Sequence, residues 1–280
     1  MNAAVAKLKE LLPFPLHRYV DEEPEELRLK RGAQVMTMSE GVLTLRHLIC
    51  TDELMDEVFL KLTNRSYYSH AATVNEGYLA LPCGLRAGVA GRAAATGGKI
   101  TAVRDLSFLS LRIPRPLPGI DRGLIERVGT RLFRGGALIY APPGVGKTTL
   151  LRELARRISS PPYLIPTALA DERGELSFDL DACPALTVYL HYPKAKAAEC
   201  ALRTVSPRAL FTDEIGPLET NALSACAVGG VPVFASAHAD SLSELLSKPG
   251  MRALTDSGCF AYVIGLRREE GRFLYDVHAA

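Results

Sequence analysis

A chain of 280 residues, 48% apolar and 23% charged, holds enough material for one large or two modest packed domains. Its net charge of +2 gives no electrostatic case for nucleic acid or an anionic membrane as a bulk partner. No apolar run reaches the length of a membrane span. Cys50, Cys83, Cys183, Cys200, Cys226 and Cys259 form no C-x-x-C pair and have no histidine at ligand spacing. They read as reduced, mostly buried small hydrophobes of a cytosolic protein, with a zinc site as a remote alternative.

Taken in order, Met1 to Glu10 reads as an amphipathic helix and not as a signal peptide. Its stripe of Leu8, Leu11 and Leu12 is cut off by Pro13 and Pro15. Leu27 to Arg31 and Val42 to Leu45 alternate like half-buried strands, with Ser39-Glu40-Gly41 as a turn between them. Thr51 is placed to cap a helix whose Leu54, Val58 and Leu62 share a face. Gly77, Gly84, Gly88 and Gly91 suggest tight turns in a small sheet, and Lys99 to Val103 adds a strand. Residues 1–118 are therefore expected to form an α+β domain. Its end, Leu111 to Gly119, is a stiff proline-rich linker. Arg112 and Arg115 lie on that linker. Base rates make them solvated arginines, while the sharper reading has one of them reach a neighbouring subunit's nucleotide as an arginine finger.

The stretch Gly135 to Thr149 organises everything that follows. A short apolar run, Ala137 to Ala141, leads into a Pro-Gly turn and then Gly146-Lys147-Thr148 at the start of a helical pattern. That order is the context of a phosphate-binding P-loop. Pro143, Gly144, Val145, Gly146, Lys147, Thr148 and Thr149 would form the cradle, with glycines letting backbone amides converge on phosphate oxygens. Lys147 supplies a charge for the β/γ-phosphates, Thr148 a hydroxyl for Mg²⁺, and the helix N-terminus its dipole. Ala141 stands where the first glycine of the motif usually is, which requires its φ to stay negative.

Beyond the loop, Leu150, Leu151, Leu154, Ala155 and Ile158 make a helical stripe ended by Ser159 to Pro162. Strand candidates then end in acids or a histidine: Thr167 to Ala170 in Asp171-Glu172, Ala209 to Thr212 in Asp213-Glu214, and Val231 to Ala237 in His238. A helix is expected over Ala195 to Val205, another after the capping-box match Ser241 to Glu244, and a closing hairpin from Phe260 to Val277. In a parallel α/β sheet these carboxyl ends face the ligand. Asp213 then holds Mg²⁺ with Thr148, Glu214 polarises the attacking water, and His238 contacts the γ-phosphate or that water. Asp171 and Glu172 have a competing role in an ion pair with Arg173.

The string Ser206 to Gly216, with Asp213 and Glu214 inside it, resembles the Walker B region of the secretion ATPase superfamily. Ser236 to Asp240 is similar to its histidine box, and Asp171-Glu172-Arg173 stands at the place of its aspartate box. Gly84 to Gly91, Leu111-Arg112-Ile113, Asp181 to Pro184 and Ser241 to Leu246 narrow the resemblance to the stage III AA sporulation ATPases of endospore-forming bacteria. That resemblance implies a RecA-like P-loop NTPase domain over 119–280, with ATP and Mg²⁺ as cofactors. It also implies a homo-oligomeric, hexameric ring in the mother-cell cytoplasm. Such a ring would be peripheral at the forespore membrane and docked on a membrane-embedded channel, with no membrane insertion of its own.

An ATP-hydrolysing ring is therefore the leading expectation, with Glu172 alongside Lys147, Glu214 and His238 as candidate catalytic groups. A nucleotide-gated scaffold with negligible turnover is the alternative. A nucleic-acid-acting ATPase is weaker, because no basic stripe with interleaved aromatics and no Trp is present.

Overall fold

The computed structural model describes residues 3–81, 85–114, 117, 119–216 and 219–280. The chain divides between Pro116 and Leu117 into two compact units.

The first unit is an antiparallel sheet with helices. It runs α1 (Ala3–Leu11), α2 (Phe14–Val20), β1 (Glu26–Lys30), β2 (Gln34–Ser39), β3 (Val42–Ile49), α3 (Asp52–Leu62), α4 (Tyr67–Asn75), β4 (Tyr78–Ala80), β5 (Arg86–Thr96) and β6 (Lys99–Arg112). Its sheet order among the described residues is β3-β2-β1-β6-β5-β4. Leu8, Leu16, Leu27, Leu29, Met55, Leu109 and Leu111 are fully buried in it. Thr51 caps α3 as expected, accepting from the Leu54 amide at 3.3 Å.

Four sequence expectations are corrected here. Pro15 does not end a helix but sits in the first turn of α2, where a missing N–H costs nothing. Gly88 and Gly91 are not turns. They lie inside β5, and at Gly91 the β5–β6 register shifts so closely that an added Cβ would stand 2.7 Å from the Arg104 carbonyl oxygen. Lys99 to Val103 is only the start of a 14-residue strand. Leu111 and Arg112 belong to that strand and not to the linker, opposite Leu27 and Glu26 of β1. Arg115 and Cys83 lie outside the described residues.

The second unit is a RecA-like α/β domain. It continues with α5 (Arg122–Val128), a 3₁₀ turn at 129–131, α6 (Leu132–Gly135), β7 (Ala137–Ala141), α7 (Lys147–Ser159), β8 (Thr167–Asp171), β9 (Leu186–Leu190), α8 (Lys194–Thr204), β10 (Ala209–Thr212), α9 (Thr220–Val228), β11 (Val233–His238), α10 (Leu242–Ser247), α11 (Met251–Asp256), β12 (Tyr262–Glu269) and β13 (Arg272–Ala279). Its strands are ordered β13-β12-β7-β11-β10-β8-β9, all parallel to their neighbours except the β12–β13 hairpin.

The sheet is covered on both faces, which is why its central strands read as unbroken apolar runs. Along β7, Ala137, Ile139 and Ala141 join one cluster with Leu150, Leu151 and Leu154 of α7. Leu138 and Tyr140 join the other, with Ala198 and Ala201 of α8 and Leu223 of α9. Ser241 caps α10 by accepting from Glu244 N at 3.1 Å. Glu244 in turn accepts from Asp240 N at 2.7 Å, so the expected capping box closes one residue earlier than the usual reciprocal bond.

Candidate nucleotide site

β7, β11, β10 and β8 are adjacent and parallel, so Ala141, His238, Thr212 and Asp171 end side by side at one edge. The P-loop leaves the end of β7. Ala141 closes that strand in extended backbone, so an alanine is tolerated there. Gly144 and Gly146 take φ of +79° and +120°, values that only glycine adopts without strain. Beside Gly144 no heavy atom lies within 4 Å of where a Cβ would stand, and Lys147 to Thr149 begin α7 beneath the turn. The two positive-φ glycines and the open space beside Gly144 suit a phosphate-binding turn.

Lys147 is buried, and its ammonium donates to the carbonyls of Ala141 at 2.8 Å and Pro142 at 2.9 Å. It also lies 2.9 Å from His238 Nδ1. Because an ammonium only donates, Nδ1 is the acceptor in this contact, which leaves Nε2 to carry a proton. That proton is donated to Glu214 Oε1 at 2.8 Å. Glu214 Oε2 lies 3.4 Å from Arg173 Nη1. Burial pushes the Glu214 carboxyl up, but the contact with His238 first, and then Arg173 and Lys194, outweigh it and hold the carboxyl below its ordinary range. Burial lowers the Lys147 ammonium, and the charge of Glu214 partly opposes that.

Asp213 is 3% exposed, and burial raises its carboxyl despite Lys194 at 3.1 Å from Oδ1. Apart from that ion pair, Oδ1 is a buried oxygen with no hydrogen-bond partner among the described residues. A half-buried Thr148 hydroxyl on the first turn of α7 and an under-satisfied carboxylate oxygen suit a magnesium ion completed by phosphates and water. Among the described residues there is no group of three or more His, Cys, Asp or Glu that could hold a metal ion.

A cavity of about 500 Å³ opens here, lined by Glu172, Arg173, Lys194, Glu214, His238 and Lys248 among others. Glu172 reaches it. Asp171 does not, contrary to the ligand-facing role expected of its strand end, and the alternative Asp171–Arg173 pair is not formed either. The buried Asp171 carboxylate instead accepts from the amides of Glu175, Leu176 and Ser177 at 3.1, 3.0 and 2.7 Å, while Arg173 turns to Glu214. The same loop is held from α7 by the buried Arg152, which donates to the carbonyls of Glu175 and Leu176. Arg112 belongs to the first unit, exposed at the end of β6.

Three cationic groups of this region were not anticipated. Lys194 follows Pro193 like any solvated helix start. Lys248 is a lone lysine after α10, yet it donates to the His238 carbonyl and pairs with Glu244 at 3.1 Å. Arg152 sits beside an apolar stripe with nothing in its spacing to announce burial. Burial of a charge is decided by tertiary partners, which local sequence does not contain.

Among solved structures, the ATPase DotB of Legionella pneumophila superposes with a TM-score of 0.64 at 17% identity, covering 95% of this chain and 80% of that one. The pilus retraction motor PilT with bound ADP gives 0.69 at 16% identity, over 95% and 82%. At such identities the likeness is one of fold. Stage III sporulation protein AA of Bacillus subtilis (strain 168) is 30% identical over 95% of this chain and 92% of its own length. The family model described as sporulation stage III, protein AA matches residues 6–275, through both units and every residue of the site above. The chain belongs to the sporulation stage III protein AA family.

Proposed function

We propose that this chain is a magnesium-dependent ATPase that works as a homo-oligomeric ring. The observation that carries the reading is the continuous contact from the P-loop lysine through His238 to Glu214, with Asp213 beside it. Mg²⁺·ATP would supply the scissile phosphoanhydride and the charge that draws these residues together. Lys147 exchanges its two carbonyl partners for phosphate oxygens, and the loop amides after Pro143 cradle them. Thr148 and Asp213 hold the ion. Glu214, ionised because its carboxyl is held low, accepts the proton of the attacking water. His238, once Lys147 leaves Nδ1, is free to accept there while still orienting Glu214 through Nε2. Glu172, on the cavity wall, is a second carboxylate within the same space.

The ring and its setting come from the family resemblance: a hexamer in the mother-cell cytoplasm, docked on a membrane-embedded sporulation channel. Supporting self-association, the edge strand β3 exposes Val42, Leu43, Leu45 and Ile49. No helix among the described residues is long and apolar enough to cross a membrane, so contact with the membrane is assigned to partner proteins. A trans-acting arginine, Arg112 or Arg115, would complete each site from the next subunit.

Phosphate release measured across protein concentration tests this. The rate per protomer should climb steeply as rings assemble, and Lys147→Ala should abolish both mant-ATP binding and release. Concentration-dependent assembly with no phosphate release would instead establish the nucleotide-gated scaffold.

A further inference from the structure

Lys194 takes no direct step in that mechanism. Lys194, the first residue of α8, has a side chain only 7% exposed, and burying an ammonium is costly unless it is paired. Its partners are both in the Asp213-Glu214 pair: Asp213 Oδ1 at 3.1 Å and the Glu214 carbonyl at 2.8 Å. The first contact is an ion pair, and Oδ1 has no other partner among the described residues, so it has room for a further ligand. The second clamps a strained residue. Glu214 has φ of +25°, outside the range a non-glycine residue adopts freely. Its amide is held by Ser236 Oγ at 3.1 Å, and the Ile215 amide by Ser236 O at 2.8 Å. Lys194 grips the same peptide from the side of α8.

We propose that Lys194 is a positioning residue that acts as the counter-ion of Asp213 in the metal-free site, and that Mg²⁺ must compete with it for that carboxylate. The inference rests on the ATPase reading above. It follows from charge balance. With Lys194 in place the buried carboxylate is neutralised without a divalent ion, and an arriving Mg²⁺ meets a like charge a few ångströms away. The lysine keeps its hold on the Glu214 carbonyl while giving up Asp213, so the water-activating residue stays in place as the metal enters.

Titrating Mg²⁺ into protein and mant-ADP, with EDTA as the metal-free reference, tests the assignment. In Lys194→Met the metal-free protein should melt earlier, since Asp213 is left buried without a counter-ion. The Mg²⁺ midpoint should fall by about fivefold or more because the competitor is gone. Affinity for mant-ADP in EDTA should stay within about twofold, which a general disruption of the fold would not allow. An unchanged or raised Mg²⁺ midpoint would overturn the proposal. Should the methionine variant not fold, Lys194→Gln keeps a donor for the Glu214 carbonyl without the charge. A wild type that fails to bind mant-ADP with or without Mg²⁺ would defeat the nucleotide reading itself. Magnesium-dependent binding with the same midpoint in wild type and variant would defeat only the role of Lys194.

Discussion

Lys147 touches two main-chain carbonyls and a histidine nitrogen, all of them acceptors it would trade for phosphate oxygens. His238 is the hinge of that exchange, because its two nitrogens face Lys147 and Glu214 at once. His238→Ala should keep mant-ADP affinity while phosphate release falls by roughly tenfold to a hundredfold, since Glu214 loses its orienting donor. Unchanged turnover would remove His238 from the mechanism. In the first unit, Glu26 is buried and pairs with Arg28 while accepting from Ser110. Burial pushes its carboxyl up, but Arg28, Ser110 and the charge of Arg112 bring it below the ordinary value. A depressed folded-state pKa stabilises the protein above the unfolded value of 4.5, and that contribution disappears as pH falls through the lower folded value. Glu26→Gln should therefore cost about 1–3 kcal/mol near neutrality and flatten the acid limb of stability against pH, as read by urea unfolding. Lys147, Asp213, Glu214 and His238 were legible because each sits at a fixed offset from a strand or glycine turn. Lys194 and Arg152 were not, because nothing local marks a charge that a distant partner buries.

Elements were legible where periodicity and punctuation agreed. The apolar run of β7, the glycine turn and the striped α7 could be read from residue types alone, as could the Thr51 and Ser241 caps. The five residues of β9, with no acid or glycine at their end, could not, nor could the weakly amphipathic α4 and α9. Glycines misled where they serve close approach and not a turn. At Gly91 a β-carbon would run into the Arg104 and Asp105 carbonyls of the paired strand, groups that cannot rotate away. Gly91→Ala should thus destabilise by about 1–3 kcal/mol in urea unfolding, and a neutral result would mean that the β5–β6 irregularity has slack. For the loop after β8 the residue types leave a ligand-facing role and an ion pair with Arg173 in competition, and Asp171 takes neither, spending its carboxylate on three backbone amides. Buried carboxylates seek donors wherever the backbone offers them, and a neighbouring arginine in sequence is only one choice.

At the scale of the molecule, every described residue of the candidate nucleotide site falls within 117–280, and that unit has its own two-sided core. Residues 117–280 expressed alone should fold and bind mant-ADP, with unfolding stabilised by about 2.7 kcal/mol at a hundredfold excess over Kd. Their turnover should not climb with concentration if the first unit carries the assembly surface and the trans arginine. A steep climb in the isolated unit would place both elsewhere. The α/β class and the order of its motifs were readable because they are carried by strand-end chemistry. Which copy of the chain completes which site is not, because residue spacing within one chain does not encode contacts between copies.

The account stands most directly on the role of Glu214 beside Asp213. Phosphate release from saturating Mg²⁺·ATP, measured for the full chain and for Glu214→Gln at equal assembly, isolates it. Turnover should fall by about a hundredfold or more with ATP still bound. A variant that hydrolyses ATP at the wild-type rate would contradict the account.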